Sequence, residues 1–226
     1  MKNIKLFIVI PAYNEGKSLG KVIDDLRSEG YNNIIVIDDG SRDKTAEIAE
    51  KKNVYLFKHL VNRGLGGALG TGLDAAYNLG AEIAITFDAD GQHFVGDINN
   101  MIMPIVNGKA DVVIGSRMIN SEGMPLVRKI GNWGLNFITF LLFGFWTTDS
   151  QSGMRAFDRK SLCKIETKSN RMEVSSEFFK EFRRHSLRLA EVPIKVIYTE
   201  YSKAKGQSSW NAFKIVSKLI IRKIMR

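Results

Sequence analysis

Short β-branched or apolar runs alternate with helix-patterned segments through the first two-thirds of this 226-residue chain. The strand-like runs cover residues 5–10, 33–38, 54–58, 82–88 and 111–115, and the helical patterns cover 17–28, 43–51, 66–79 and 97–107. A helix between two strands returns the chain to the edge where the first strand began, so the strands pair in parallel and the helices cover both faces. The predicted class is α/β with a mostly parallel central sheet. Ligands of such sheets collect at the carboxyl ends of the strands. The polar clusters fall there: residues 11–15 after the first run, 38–41 after the second, 88–93 after the fourth and 116–117 after the fifth.

After Arg117 the pattern changes. Residues 120–125 read as a loop, 126–145 as a basic start running into a very apolar helix, 147–153 as a polar turn and 174–185 as a second helix. A strand-like run at 189–198 precedes a loop rich in Lys, Gly and Ser at 202–209. In the last segment Lys214, Lys218, Arg222 and Arg226 stand four apart with aliphatic residues between them. This cationic stripe suits either a helix lying in a lipid headgroup layer or a terminal helix docked on its own domain. No apolar run approaches the ~20 residues of a spanning helix. The apolar stretch 6–10, cut off by Pro11, is too short for a signal-peptide core. A single cysteine, Cys163, excludes an intramolecular disulfide framework, and the cytosol is the expected compartment.

Lys and Arg number 33 against 24 Asp and Glu, a net charge of +9, which suits a polyanion partner, an anionic membrane surface or simple solubility. Nucleic acid is disfavoured: aromatic residues gather in 135–146 instead of interleaving with the cations as a stacking surface requires.

The strongest local signal is Asp88-Ala89-Asp90-Gly91-Gln92-His93 at the end of an apolar strand. A turn at Gly91 can bring both carboxylates to one ligand, and hard oxygen donors suit Mg²⁺ or Mn²⁺ with phosphate oxygens completing the shell. A solvated acidic turn is the alternative. The glycine-rich residues 62–70 resemble a dinucleotide fingerprint poorly, since Leu69 takes the third-glycine place, and no Gly-Lys-Ser/Thr makes a phosphate loop. Close backbone approach at a helix start, or a purely structural turn, explains them. Asp38-Asp39-Gly40-Ser41 can cap a helix or offer a carboxylate to a base N–H. Tyr13 offers a stacking face and Glu15 an acceptor. Arg117, Arg128, Lys129, Lys203 and Lys205 sit in loops or at helix starts, where cations meet anions.

In this order, residues 8–15, Ile37-Asp38-Asp39-Gly40-Ser41, Asp88-Ala89-Asp90-Gly91-Gln92-His93, Gly115-Ser116-Arg117, Ser152-Gly153-Met154-Arg155 and Glu191-Val192-Pro193-Ile194 resemble the family 2 glycosyltransferases, particularly the polyprenyl-phosphate (dolichyl-phosphate) sugar synthases. The resemblance runs from Ile8 to about Ser209. It implies a GT-A type, Rossmann-like fold, with amphipathic interface helices in the C-terminal third. It also implies a UDP- or GDP-linked sugar donor, a divalent cation (Mg²⁺ or Mn²⁺) and inversion at the sugar's anomeric carbon.

By position, Pro11, Tyr13, Glu15, Asp38 and Asp39 correspond to the nucleoside pocket, Asp88 to a donor-contacting acid, and Asp90 and Gln92 to the metal ligands. Arg117 and Arg128 correspond to cations at the diphosphate and acceptor phosphate. Asn132 replaces a serine of the mannose synthases, while Lys203, Lys205 and Ser208 stand where their acceptor loop carries an arginine. Glu177 matches an acidic helix position of the family. The implied catalytic set is Asp88, Asp90 and Arg117, with Asp149 where hydroxyl-using relatives place a base. The expected organisation is one catalytic domain over 1–209, divided near 117 into nucleotide-sugar and acceptor halves, and a basic helix at 210–226. The expected activity is hexose transfer to a polyprenyl or dolichyl phosphate by an enzyme held peripherally on the cytoplasmic membrane face. A soluble transferase using Asp149 as base, and a silent nucleotide-sugar scaffold, are the alternatives.

Overall fold

The chain, seen in a computed structural model, is described over residues 4–120, 126–166 and 174–197, without the side chains of 126–128, 142 and 176. In chain order the elements are β1 (Leu6–Ala12), α1 (Leu19–Ser28), β2 (Ile34–Asp38), α2 (Thr45–Lys51), β3 (Tyr55–Lys58), α3 (Gly64–Asn78), β4 (Ile83–Thr86), α4 (Ile98–Val106) and β5 (Val112–Ser116). They continue with α5 (Leu126–Phe143), β6 (Arg155–Asp158), α6 (Arg159–Lys164), α7 (Val174–Arg184) and β7 (Leu189–Pro193). Among the described residues the strands form one sheet of seven in the order β3-β2-β1-β4-β6-β5-β7. β1 pairs in parallel with β2 and β4, β2 with β3, and β5 with β7, while β6 runs antiparallel to both β4 and β5.

Successive strand residues point to opposite faces, and here both faces are covered. Phe7, Val9, Ile35 and Ile37 pack with Leu69 and Leu73 of α3, Leu162 of α6, and Phe178 and Phe182 of α7. Ile8, Ile10, Ile34 and Val36 pack with Leu19, Ile23 and Leu26 of α1 and with Ile98 and Met101 of α4. That double burial is why the first strands read as continuous apolar runs. It also brings residues from both sides of Arg117 into the same two cores.

The alternation anticipated β1 to β5 and α1 to α4. It did not anticipate β6 and α6, because Arg-Ala-Phe-Asp is too short and too charged at its ends to announce a strand. Tertiary pairing decides it: Ile85 lies opposite Ala156 and Val113 opposite the same residue. α3 begins at Gly64, two residues before the predicted start, so the glycine-rich segment is largely helical. Gly72 there lies directly on the sheet, where a Cβ would come within 2.3 Å of Val9 Cγ1. The predicted basic helix at 210–226 lies outside the described residues.

Candidate active site

The parallel strands β1, β2, β4 and β5 end at one edge, and their following loops are tied together there. Asp39 N–H donates to Ala12 O at 2.8 Å. Asn14 N–H donates to Ser41 Oγ at 2.9 Å, and Arg42 N–H to Asn14 Oδ1 at 2.9 Å. Asn14 takes a positive φ of 55°, a left-handed conformation that asparagine tolerates. Glu15 N–H reaches Thr45 Oγ1 and Gly16 N–H reaches Asp43 Oδ2, each at 2.9 Å. Pro11 is held in β1 opposite Ile37. The ring of Tyr13, 44% exposed, stands at the surface of this laced pair of loops.

Asp38 and Asp39 are both buried. Asp38 accepts Ser41 N–H at 3.1 Å. Asp39 is the anion at the N-terminus of α3: Oδ1 accepts Arg63 N–H at 2.8 Å and Oδ2 accepts Gly64 N–H at 2.7 Å. A helix start that attracts negative charge is thus served by the chain's own carboxylate, which accounts for the close backbone approach in the glycine-rich segment. His59 bridges Asp39 Oδ1 at 2.7 Å and Thr71 Oγ1 at 2.9 Å.

Asp88 and Asp90 follow β4 across the edge from these loops. The Asp88 side chain is 40% exposed, and its Oδ2 lies 3.0 Å from Nε2 of the buried His93. Gly153 lies against it: a Cβ there would be 2.6 and 2.8 Å from the two Asp88 oxygens. Thr86 Oγ1 donates to Gly153 O at 2.6 Å and fixes that backbone. Crowding by protein opposes ionisation of Asp88, but His93, Arg117 and Arg155 together outweigh it and hold the carboxyl below its usual range. Asp90 is shifted the other way, by desolvation and by the negative charge of Asp88. Its oxygens accept Gln92 N–H at 3.0 Å and the Gln92 side-chain amide at 2.5 Å.

Among the described residues no cluster of three or more His, Cys, Asp or Glu side chains is arranged to hold a metal ion. The donor set of Asp90 and Gln92 beside Asp88 is nonetheless made of hard oxygens. Burial of Asp90 and the negative charge of Asp88 beside it both disfavour its ionised form, a cost that a bound dication would offset. A cation here needs oxygens from a ligand to complete its shell, as Mg²⁺ sites on phosphates do.

Arg117 follows β5 at the same edge. Its Nε and Nη2 donate to the two oxygens of Asp149 at 2.6 and 2.7 Å, and its backbone N–H adds a bond of 3.1 Å. Asp149 is fully buried. Asn132 of α5 approaches this strand end, its Nδ2 3.5 Å from Met118 Sδ. Arg155 is buried behind the pair and donates to Ser150 O at 3.2 Å, with the Phe178 ring 5.0 Å from its guanidinium carbon. Burial pulls it down to about 10, against the opposing pull of Asp149 and Asp88.

The structure therefore gathers Pro11, Tyr13, Glu15, Asp38, Asp39, Asp88, Asp90, Gln92, Arg117, Asn132 and Asp149 along one edge. Arg128 is in the first turn of α5, but its side chain, like Lys203, Lys205 and Ser208, lies outside the described residues. Glu177 is on α7, whose neighbouring Phe178 and Phe179 belong to the core below the sheet. His59, Arg155 and Asn136 make contacts at this edge that the sequence does not announce. His59 and Asn136 carry no local signal, whereas Arg155 lies in the quoted Ser-Gly-Met-Arg segment.

A family model described as glycosyl transferase family 2 matches residues 7–165. The chain belongs to glycosyl transferase family 2. The enzyme is 52% identical over 225 residues to an uncharacterised protein of Methanocaldococcus jannaschii, covering 97% of this chain and 93% of that one. It is 44% identical over 241 residues to the UDP-N-acetylglucosamine–dolichyl-phosphate N-acetylglucosaminyltransferase of Methanococcus voltae, covering 97% of this chain and 96% of that one. Its fold is similar to glucosyl-3-phosphoglycerate synthase of Mycobacterium tuberculosis, solved with Mn²⁺, UDP-glucose and phosphoglyceric acid. The TM-score is 0.71 at 18% identity, over 97% of this chain and 80% of that one. Family, relatives and fold agree: the glycosyltransferase has a GT-A-like architecture, with the acid-rich edge described above as its candidate centre.

Proposed function

We propose that this glycosyltransferase moves a hexose from a UDP- or GDP-linked sugar to the phosphate of a polyprenyl or dolichyl carrier, with inversion at C1. The observation that carries the reading is the commitment of Asp149 to Arg117. A hydroxyl acceptor needs a base within reach of its proton, and Asp149 already has both oxygens on a guanidinium. A phosphate acceptor is anionic at neutral pH and requires cations instead. The dolichyl-phosphate acceptor in the name of the Methanococcus voltae relative supports the same class.

In this reading residues up to about 117 form the donor half and 118–209 the acceptor half. Tyr13 stacks on the nucleoside base, Asp38 or Asp39 accepts a base N–H, and Pro11 and Glu15 wall the pocket. Asp88 meets the donor sugar. Asp90 and Gln92 would hold Mg²⁺ or Mn²⁺, which would neutralise diphosphate charge. An acceptor phosphate oxygen attacks C1 while the C1–O bond to the nucleoside diphosphate breaks, its electron pair leaving with the diphosphate. Arg117, with Arg128, Asn132, Lys203, Lys205 and Ser208 on the acceptor side, offsets the repulsion between the two anions. Positioning and electrostatics supply the rate enhancement.

The outer face of α5 supports a location on the cytoplasmic membrane surface. Ile130, Trp133, Phe137, Phe140 and Leu141 are exposed along it, and Trp146 packs edge-on against Trp133 and Phe140 at 5.8 and 5.6 Å. Among the described residues no helix is long and apolar enough to cross a membrane. An aromatic and aliphatic stripe without span length suits a helix lying at an interface.

The test is transfer from UDP-N-acetylglucosamine, UDP-glucose or GDP-mannose onto a short polyprenyl phosphate, with the free polyprenol and simple saccharides in parallel, with and without Mn²⁺. Transfer to the phosphate alone, abolished by EDTA, is expected. Equal transfer to the alcohol, or to saccharides with loss in Asp149→Asn, overturns the reading in favour of a hydroxyl acceptor. No transfer from any donor favours a binding scaffold.

A further inference from the structure

Residues 147–150 form the support on which Arg117 rests, and that support is gripped from two distant elements. From β7, Glu191 Oε1 accepts Thr147 Oγ1–H at 2.5 Å, Thr148 N–H at 2.9 Å and Thr148 Oγ1–H at 3.2 Å, while Oε2 lies 3.1 Å from Thr148 N. From α5, the buried Asn136 donates Nδ2–H to Thr148 O at 2.5 Å and accepts Ser150 N–H at 2.8 Å. Asp149 lies between these two grips and meets Arg117 with both oxygens. Ser116, the last residue of β5, closes the ring through its hydroxyl, 2.6 Å from Thr148 Oγ1.

We infer that Glu191 and Asn136 are positioning residues for the transfer reaction: together they lock residues 147–150 so that Asp149 holds Arg117 in one orientation at the cleft. The inference rests on the reading that Arg117 serves the acceptor phosphate. The chemistry of each grip is specific. Among the described residues Glu191 faces donors, so a carboxylate satisfies all of them, whereas a glutamine amide turns a donor toward the Thr148 N–H or a threonine hydroxyl. Asn136 uses one donor and one acceptor at once, which aspartate cannot reproduce. The same α5 that grips the loop from inside carries the exposed aromatic stripe outside. The acceptor-side helix and the arginine are thereby parts of one rigid unit, and displacement of a reacting group's anchor by about 1 Å can cost on the order of 100-fold in rate.

The experiment is a double-mutant cycle on the full chain, assayed with UDP-N-acetylglucosamine and a short polyprenyl phosphate in Mn²⁺. Glu191→Gln is expected to lower kcat/KM for the polyprenyl phosphate by about 10- to 100-fold, while affinity for UDP, measured separately by calorimetry, stays unchanged. Combined with Arg117→Ala, it is expected to add nothing further, because its effect runs through that side chain. Glu191→Asp is expected to recover part of the loss. Additive losses in the double variant, or equal weakening of UDP binding, overturn the inference. Asn136→Asp in the same cycle provides the answer if Glu191→Gln does not fold, by the same criteria. If Arg117→Ala alone retains full transfer, the reading of Arg117 fails, and the cycle separates that outcome from a failure of the two positioning residues.

Discussion

Gly153 and Asp88 compete for one volume: a single carbon added to the glycine would stand 2.6 Å from Asp88 Oδ2. The clash is with the end of a side chain that can rotate, so the fold can absorb it while the carboxylate cannot stay where it is. Gly153→Ala is therefore expected to leave thermal stability nearly unchanged and to weaken nucleotide-sugar binding at least about tenfold, since a displaced anchor forfeits orientation. Calorimetric titration with the sugar nucleotide, beside a melting curve, checks both halves.

Gly72 gives the opposite outcome. Its added Cβ would meet Val9 Cγ1 at 2.3 Å and Ile37 Cγ1 at 3.2 Å, both in the packed layer between α3 and the sheet. Overpacking of this kind costs about 1–3 kcal/mol. Gly72→Ala is expected to show that loss in denaturant unfolding, with substrate affinities of the remaining folded protein intact.

Asp111 ties β5 to β7 by accepting Arg188 N–H at 2.8 Å and its guanidinium at 2.7 and 3.1 Å. The Arg188 side-chain hydrogen bonds are the largest influence on its carboxyl and hold its pKa below the ordinary value. A depressed folded pKa contributes stability that is fully present above the unfolded value of about 3.9 and is lost as pH falls through the folded one. Asp111→Asn is expected to be less stable than the parent at pH 7, and the two should converge under acid, as followed by melting across a pH series.

On α5, removing Trp133 and Phe137 together strips exposed rings from the proposed interfacial face without touching the buried Leu135, Asn136 and Thr139. Each large apolar side chain contributes about 1.5–3 kcal/mol when fully withdrawn from water. The double alanine variant is expected to bind anionic liposomes at least about tenfold more weakly in flotation, with its melting temperature preserved. Parent protein that stays at the bottom of the gradient would remove the membrane-surface proposal.

Much of the architecture was legible from a simple pattern because β1 and β2 are apolar on both sides. Ile8 and Val9 serve opposite cores, so no polar residue interrupts the run. The acids of the edge were legible for a related reason: Asp38 and Asp88 stand at or just beyond strand ends, where a sheet of this class keeps its ligands. What could not be read were relations made by chain reversal. Arg155 looks like a surface residue until β6 slots between β4 and β5 and buries it. The Asp38–Asp39 pair offers a carboxylate to a base N–H in sequence, but that Asp39 also caps α3 depends on Arg63 and Gly64 arriving beside it from 24 and 25 positions on. The bond from Thr147 to Glu191 spans 44 positions, and no local periodicity encodes it.

The antiparallel β6 has a consequence for the order in which the molecule can be completed. β4 and β5 never touch as neighbours in the sheet; residues 155–158 are the rung between them. β1 to β4 are all made before β5, yet β5 has no neighbour in the sheet until some forty later residues have been made, and its other neighbour, β7, comes later still. Arg117 and Asp88 follow strands that no sheet hydrogen bond connects until that rung arrives. An interrupted translation product ending before residue 155 would thus carry the acids and the arginine but not the means to hold them in one cleft.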